Sequence, residues 1–267
     1  MVDMMTQARA PYTPAYAQTF TLELLARAGI APGMRVLVPN AAAGELALLV
    51  AERVGATGSV FAIDPDVGAL DALRESAERQ CFECIEFAAQ TLAEFHGAAM
   101  LDAVVGRFFL MREADPVGAL RAAKAALEPG GRLMFQEWHF ESVLWSHTSD
   151  WPRLPLYQCF ARWSVDALRR SGFHVDMGLR LINAFSEAGL PLPSTRSEAC
   201  ALQGGGETQY TFFEDTLREL LPAIERFRIA RAMDVNVDSF AQRLEHEVVA
   251  SRGHVFLPLQ VGAWTRV

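Results

Sequence analysis

Residues 36–50 read VLVPNAAAGELALLV. A short apolar run, a turn that carries Asn40 and Gly44, and then apolar residues at helical spacing make a strand, a loop and a helix. The unit is followed at once by another: GSVFAIDPD (58–66) is a second strand, with VGALDALRESAER (67–79) helical behind it. CIEFAA (84–89), LDAVVGRFFL (101–110) and GGRLMFQEW (130–138) are further strands, the last preceded by a helix in DPVGALRAAKAALEPGG (115–131). Strands recurring between helices imply right-handed βαβ crossovers, and so an α/β fold with a doubly wound parallel sheet. Ahead of this series TPAYAQTFTLELLARAGI (13–30) is an amphipathic helix, with Thr13 as N-cap and Pro14 at its first position.

The second half is patterned differently. WSVDALRRSGF (163–173) and MGLRLINAFSEAGL (177–190) read as helices, and SEACALQGGG (197–206) as a sixth strand. YTFFEDTLRELLPAIERF (210–227) and VDSFAQRLEHEVVA (237–250) add two helices before a final strand in HVFLPLQVGAWTRV (254–267). Two helices are too much for a hairpin turn. With no repeat and no low-complexity linker, the expectation is one domain over 1–267, with cap or lid helices at about 10–30, 140–190 and 208–251.

The bulk numbers narrow the partners. The chain has 267 residues, 51% hydrophobic and 21% charged, enough for a sizeable core. A formal charge of −8 and no basic stripe argue against nucleic acid. No run reaches the roughly 18 apolar residues of a membrane span, and MVDMMTQARAPYTP has no signal-peptide core. A cytoplasmic protein with a small-molecule substrate is expected, and a homodimer is compatible with everything read so far. Cys81 and Cys84 form a CxxC, but no second pair completes a zinc site. His246 and Glu247 begin an HExx run that Ala250 breaks, and QGGGET (203–208) lacks the Lys-Ser/Thr of a phosphate loop. No resident metal is expected.

In an open parallel sheet, ligands bind outside the carboxyl ends of the strands. Those ends hold Pro39 and Asn40 after the first strand, Asp64 and Pro65 after the second, and Thr91 after the third. Gly106 and Arg107 follow the fourth, and Glu137, Trp138, His139 and Phe140 the fifth. Asp64 has two readings: a carboxylate for both hydroxyls of a ribose, or an N-cap for the helix beginning near Pro65. Its distance of about 20 residues from Gly44 favours ribose.

These landmarks together resemble class I S-adenosylmethionine-dependent methyltransferases, and within them a bacterial small-molecule group. The resemblance rests on DAVVGRFFLM, EPGGRLMFQEW, MGLRL with AFSEAGLPLP, GGG and a terminal VGAW, and so spans about Gly33 to Trp264. It implies a Rossmann-like sheet of seven strands, mostly parallel with the last antiparallel, carrying helical cap elements. It also implies S-adenosyl-L-methionine as cofactor, contacted by Pro39, Asn40, Ala42, Gly44, Asp64, Pro65, Thr91, Gly106 and Arg107, with Arg107 near the sulfur.

The family's first motif is degenerate here. Val38 stands where the family carries an acid, Asn40 and Ala42 replace the first two glycines, and only Gly44 is kept. Thr91 stands where an acid usually meets the adenine. Asn tolerates positive φ, so Asn40 can hold the turn; a Cβ at Ala42 under positive φ costs roughly 1 kcal/mol. A lost charged hydrogen bond adds about 1.5–3 kcal/mol, one to two decades of affinity. Cofactor binding is thereby weakened or reshaped, not forbidden.

Methyl transfer from a sulfonium is an in-line displacement, and a hydroxyl acceptor benefits from a general base. His139 is the best-placed titratable group, with Glu137 as a second polar contact; the alternatives are a part-exposed loop histidine and a strand-end cap. Trp138, Phe140, Trp145, Trp151, Tyr157 and Phe160 form an aromatic set after the fifth strand, suited to walling an apolar substrate pocket or to making a core. The leading expectation is methylation of an apolar secondary metabolite. Two others stand beside it: a non-methylating cyclase, isomerase or eliminating enzyme on the same fold, and an inactive scaffold homologue.

Overall fold

The computed structural model describes residues 15–41, 45–95, 101–147 and 153–267. The chain separates into two compact units, one holding 15–137, 179–196 and 261–267, the other 138–178 and 197–260.

The first unit carries the sheet. Helix α1 (Ala15–Arg27) leads into β1 (Arg35–Pro39), α2 (Leu46–Val54), β2 (Ser59–Ile63), α3 (Val67–Arg79) and β3 (Ile85–Ala88). β4 (Leu101–Arg107), α4 (Pro116–Ala125) and β5 (Leu127–His139) follow; α6 (Met177–Glu187), β6 (Ser194–Glu198) and β9 (Leu259–Arg266) close it. The strand order is β3-β2-β1-β4-β5-β9-β6, with β9 antiparallel to its neighbours. The chain leaves β1 in one direction for β2 and later returns on its other side as β4, so the switch in order lies between β1 and β4.

Period-two alternation sorts the strand residues to two faces. Val36, Val38, Val60, Ala62, Ala103 and Val105 join Leu24 and Leu25 of α1 and the apolar side of α2 in one cluster. Phe135 belongs to the other face, where its ring stacks at 6.3 Å on Phe109 and meets Phe185 of α6 edge-on at 6.2 Å. That ring explains Gly106: a Cβ there would come within 2.5 Å of two Phe135 ring carbons. Gly106→Ala is therefore expected to cost about 1–3 kcal/mol by overpacking, read as a lower denaturant midpoint. An unchanged midpoint would mean that Phe135 yields freely.

The second unit is mainly helical: α5 (Pro155–Arg170), α7 (Glu207–Arg226), α8 (Ala232–Val235) and α9 (Phe240–Ser251), with β7 (Ala201–Gln203) and β8 (His254–Phe256). Glu247, the acid of the broken HExx run, accepts the amides of Leu156 at 2.9 Å and Tyr157 at 3.3 Å, satisfying orphan donors at the start of α5.

The C-terminal half departs from expectation in two places. SEACALQGGG is not one strand: β6 ends at Glu198 in the large sheet, and β7 pairs antiparallel with β8 in a separate two-stranded sheet. HVFLPLQVGAWTRV divides as well, with Pro258 between β8 and β9; proline has no N–H to give a ladder. α1 and the larger part of α6 group with the sheet, not with the helical unit. The predicted cap Thr13 lies outside the described residues. No helix among the described residues is long and apolar enough to cross a membrane.

Candidate active site

The carboxyl end of β1 is shaped by Asn40, which adopts φ +52°. This is the left-handed conformation that asparagine tolerates better than most residues. Its Nδ2 is buried and has no hydrogen-bond partner. Pro39 is buried at the strand end, and Ala42 and Gly44, expected next in the loop, lie outside the described residues. Val38 is wholly buried in the apolar cluster with α1 and α2. An acid in its place would sit among hydrocarbon.

At the end of β2 the structure separates the two readings of Asp64. The N-cap of α3 is Asp66, whose Oδ1 accepts the Ala69 amide at 3.1 Å. Asp64 does not cap the helix. It is 4% exposed, and its Oδ1 accepts the Asp66 amide at 2.9 Å, which fixes the carboxylate at the strand end. Pro65 is exposed beside it. Thr91 is exposed too, and both its amide and its hydroxyl donate to Glu94, at 2.8 and 2.9 Å.

β4 ends on a charge in an apolar setting. Arg107 is 6% exposed, and Nη1 donates to Thr21 Oγ1 of α1 at 3.4 Å, while Nη2 has no partner. Burial lowers its pKa to about 10, with the field of Glu45 opposing. The Thr21 hydroxyl lies 2.6 Å from Gln136 Oε1 and 2.7 Å from the Ala17 carbonyl. Phe108 follows at φ +52°, which costs a bulky side chain on the order of 1–3 kcal/mol, and its amide donates to the Gln136 carbonyl at 2.7 Å. Strained backbone beside a buried charge is the pattern of a functional site.

β5 contributes Glu137 and His139, with different fates. Glu137, expected beside His139 in the chemistry, is committed to the scaffold. Its Oε1 accepts the amides of Phe109 at 3.0 Å and Leu110 at 2.7 Å, and its Oε2 that of Met111 at 3.2 Å. Burial pushes this carboxyl up to about 8 against the pull of the three amides, and Glu113 adds to the rise. Between pH 4.5 and about 8 the folded chain thus holds a proton that the unfolded chain releases. Its contribution to stability is complete below that range and lost as pH climbs through it. Wild type is expected to lose stability from about pH 4.5 to about pH 8, at up to about 1.4 kcal/mol per pH unit, with a flatter profile for Glu137→Gln in denaturant titrations.

His139, the last residue of β5, is 5% exposed and not the part-exposed loop residue of the alternative reading. Its Nδ1 is buried without a partner, and its ring lies 5.2 Å from that of Trp145. Within the same unit, a Cβ at Gly178 would stand 2.8 Å from the His139 amide nitrogen, so the backbone there is closely held.

The aromatic set divides. Trp138, Phe140, Tyr157 and Phe160 are each 0% exposed, so essentially no water-sized space opens onto them. They interlock with Phe212 and Phe213, Phe160 meeting Phe213 edge-on at 4.9 Å, and the Tyr157 hydroxyl donates to the Phe256 carbonyl at 2.7 Å. These four make the core of the helical unit, not pocket walls. Trp145 is 53% exposed, and Trp151 lies outside the described residues. A cleft of about 630 Å³, bounded by Ala51, Gly55, Ser59, Cys81 and Cys84, lies at the amino ends of β2 and β3, away from the carboxyl ends.

A family model described as a methyltransferase domain matches residues 30–173, just over half of the chain. The chain belongs to the methyltransferase-domain family. The chain is 27% identical over 149 residues to an uncharacterized 37.1 kDa protein in transposon TN4556 of Streptomyces fradiae. The match covers 54% of the chain and 40% of that relative, so less than half of the relative's length is spanned by the chain. Its fold matches a putative methyltransferase of Bacillus halodurans, with a TM-score of 0.61 at 13% identity over 93% of this chain and 98% of the other. It also matches the cyclase SpnF, with a TM-score of 0.52 at 15% identity over 97% of this chain and 83% of SpnF.

Sequence reasoning missed Thr21 and Gln136, which form the polar floor beside Arg107. The signal was present: Thr21 interrupts the apolar stripe of α1 beside Ala17, Leu24 and Leu25, and Gln136 interrupts the apolar strand LMFQEW. A polar residue facing a core needs a partner.

Proposed function

We propose that this methyltransferase uses S-adenosylmethionine and methylates a small, largely apolar acceptor of secondary metabolism in the cytoplasm. The carrying observation is Asp64: buried at the end of β2, one strand removed from the switch in strand order, with helix capping left to Asp66. A carboxylate so placed can accept both ribose hydroxyls of an adenosine. The orphaned Asn40 Nδ2 supplies a donor for a ligand oxygen at the neighbouring strand end. The residues present therefore fit the cofactor, although the family's acid is absent at Val38.

When bound, the cofactor supplies a methyl group on an electrophilic sulfonium. The chain's own work is alignment and proton handling. His139, buried and with Nδ1 unpartnered, takes the proton of an acceptor hydroxyl. The test is turnover of methyl-labelled S-adenosylmethionine with a panel of apolar hydroxylated acceptors. Labelled product and S-adenosylhomocysteine in equal amounts are expected.

A second reading drops methyl transfer and keeps the fold, with His139 as acid or base in a cyclisation or isomerisation. The apolar burial of Val38 favours it, since a counter-charge for the cofactor is lost there. Acceptor consumed with no S-adenosylhomocysteine formed would decide for it.

A further inference from the structure

Arg107 is left without a counter-ion by everything described so far. Its guanidinium is more than nine-tenths buried, its single side-chain hydrogen bond to Thr21 is long at 3.4 Å, and Nη2 is unpartnered. The buried acids Asp64 and Glu137 are engaged by backbone amides, Asp64 by that of Asp66 and Glu137 by three. Glu45, whose field it feels, is exposed. A buried charge left uncompensated costs several kcal/mol, which a bound anion would recover. The Phe108 backbone strain and the Thr21–Gln136 hydrogen bond hold the same spot in place.

We infer that the acceptor carries a carboxylate, and that Arg107, with Thr21 and Gln136 behind it, is the specificity-determining seat for that group. This rests on the methyl-transfer reading. S-adenosylmethionine brings two positive charges and one negative, so its arrival beside Arg107 deepens the positive excess. The compensating anion then belongs to the acceptor. A guanidinium offers a planar fork matched to a carboxylate, and Thr21 keeps one edge of that fork oriented. Neutral analogues of the acceptor would leave the fork unpaired and be rejected.

The experiment uses acetate, with acetamide as its neutral twin, at constant ionic strength. Melting temperature is followed for wild type, Arg107→Met and Arg107→Lys, each alone and saturated with S-adenosylhomocysteine. Acetate is expected to raise the wild-type melting temperature by about 2 °C or more in the saturated protein, with no response to acetamide. Arg107→Met loses the response and Arg107→Lys keeps part of it. Arg107→Met is expected to fold at least as stably as wild type when no ligand is present, because an unpaired buried charge has gone. An acetate response that vanishes on saturation would assign the seat to the cofactor's own carboxylate and overturn the inference. A response absent from wild type, or surviving Arg107→Met, overturns it as well. S-adenosylhomocysteine producing no shift of its own would overturn the methyl-transfer reading and, with it, the assignment to an acceptor.

Discussion

Replacing His139 with alanine is expected to lower turnover by about 100-fold or more, while S-adenosylhomocysteine affinity stays within about twofold. Burial is what makes the expectation strong. A histidine 5% exposed, with Nδ1 unpartnered and its backbone wedged against Gly178, cannot be exchanged for solvent at little cost. Such a side chain either fills space or handles a proton. The two are separable, because a packing role would show as a lower denaturant midpoint with turnover per folded molecule preserved. Near-normal turnover would return His139 to the core, and the base would have to come from the acceptor itself.

Asp64→Ala is expected to weaken S-adenosylhomocysteine binding by about 10- to 100-fold, the loss of one or two charge-assisted hydrogen bonds. Asp66→Ala provides the contrast. It removes the N-cap of α3 and should cost about 1 kcal/mol of stability, with affinity unchanged. Calorimetric titration of both variants reads the two roles separately. Equal loss of affinity in both would mean that the strand end collapses as a unit and that Asp64 has no direct part in binding.

These two acids show where sequence stops being informative. The motif IDPD offers two carboxylates within three residues, and either could cap the helix. Only the backbone path decides that Asp66 does and that Asp64 does not. The first half of the sheet was legible because β1, β2 and β4 are each followed by an α-helix, and the change of period from 2 to 3.6 marks those junctions. The strand order came through the resemblance, since periodicity carries no order. β7 and β8 were hidden because 201–203 and 254–256 pair across about fifty residues with no turn between them to announce it.

The choice for Glu137 between a polar contact and a strand-end cap is open in the sequence for the same kind of reason. Nothing around QEW signals that its carboxylate will collect three amides from residues 109–111. The aromatic set stands open in the sequence between a wall and a core, because composition cannot distinguish the two. Full burial of Trp138, Phe140, Tyr157 and Phe160 makes that distinction. Arg107 was placed at the right strand end, but its missing counter-ion becomes visible only with α1 and β5 around it.

The most direct test of cofactor use is calorimetric titration of the wild-type protein with S-adenosylmethionine and, separately, S-adenosylhomocysteine. Dissociation constants of roughly 1–100 μM for both are expected, the weaker end reflecting the missing acid at Val38. No heat of binding up to about 1 mM for either would contradict cofactor use and leave a methyltransferase fold turned to other chemistry.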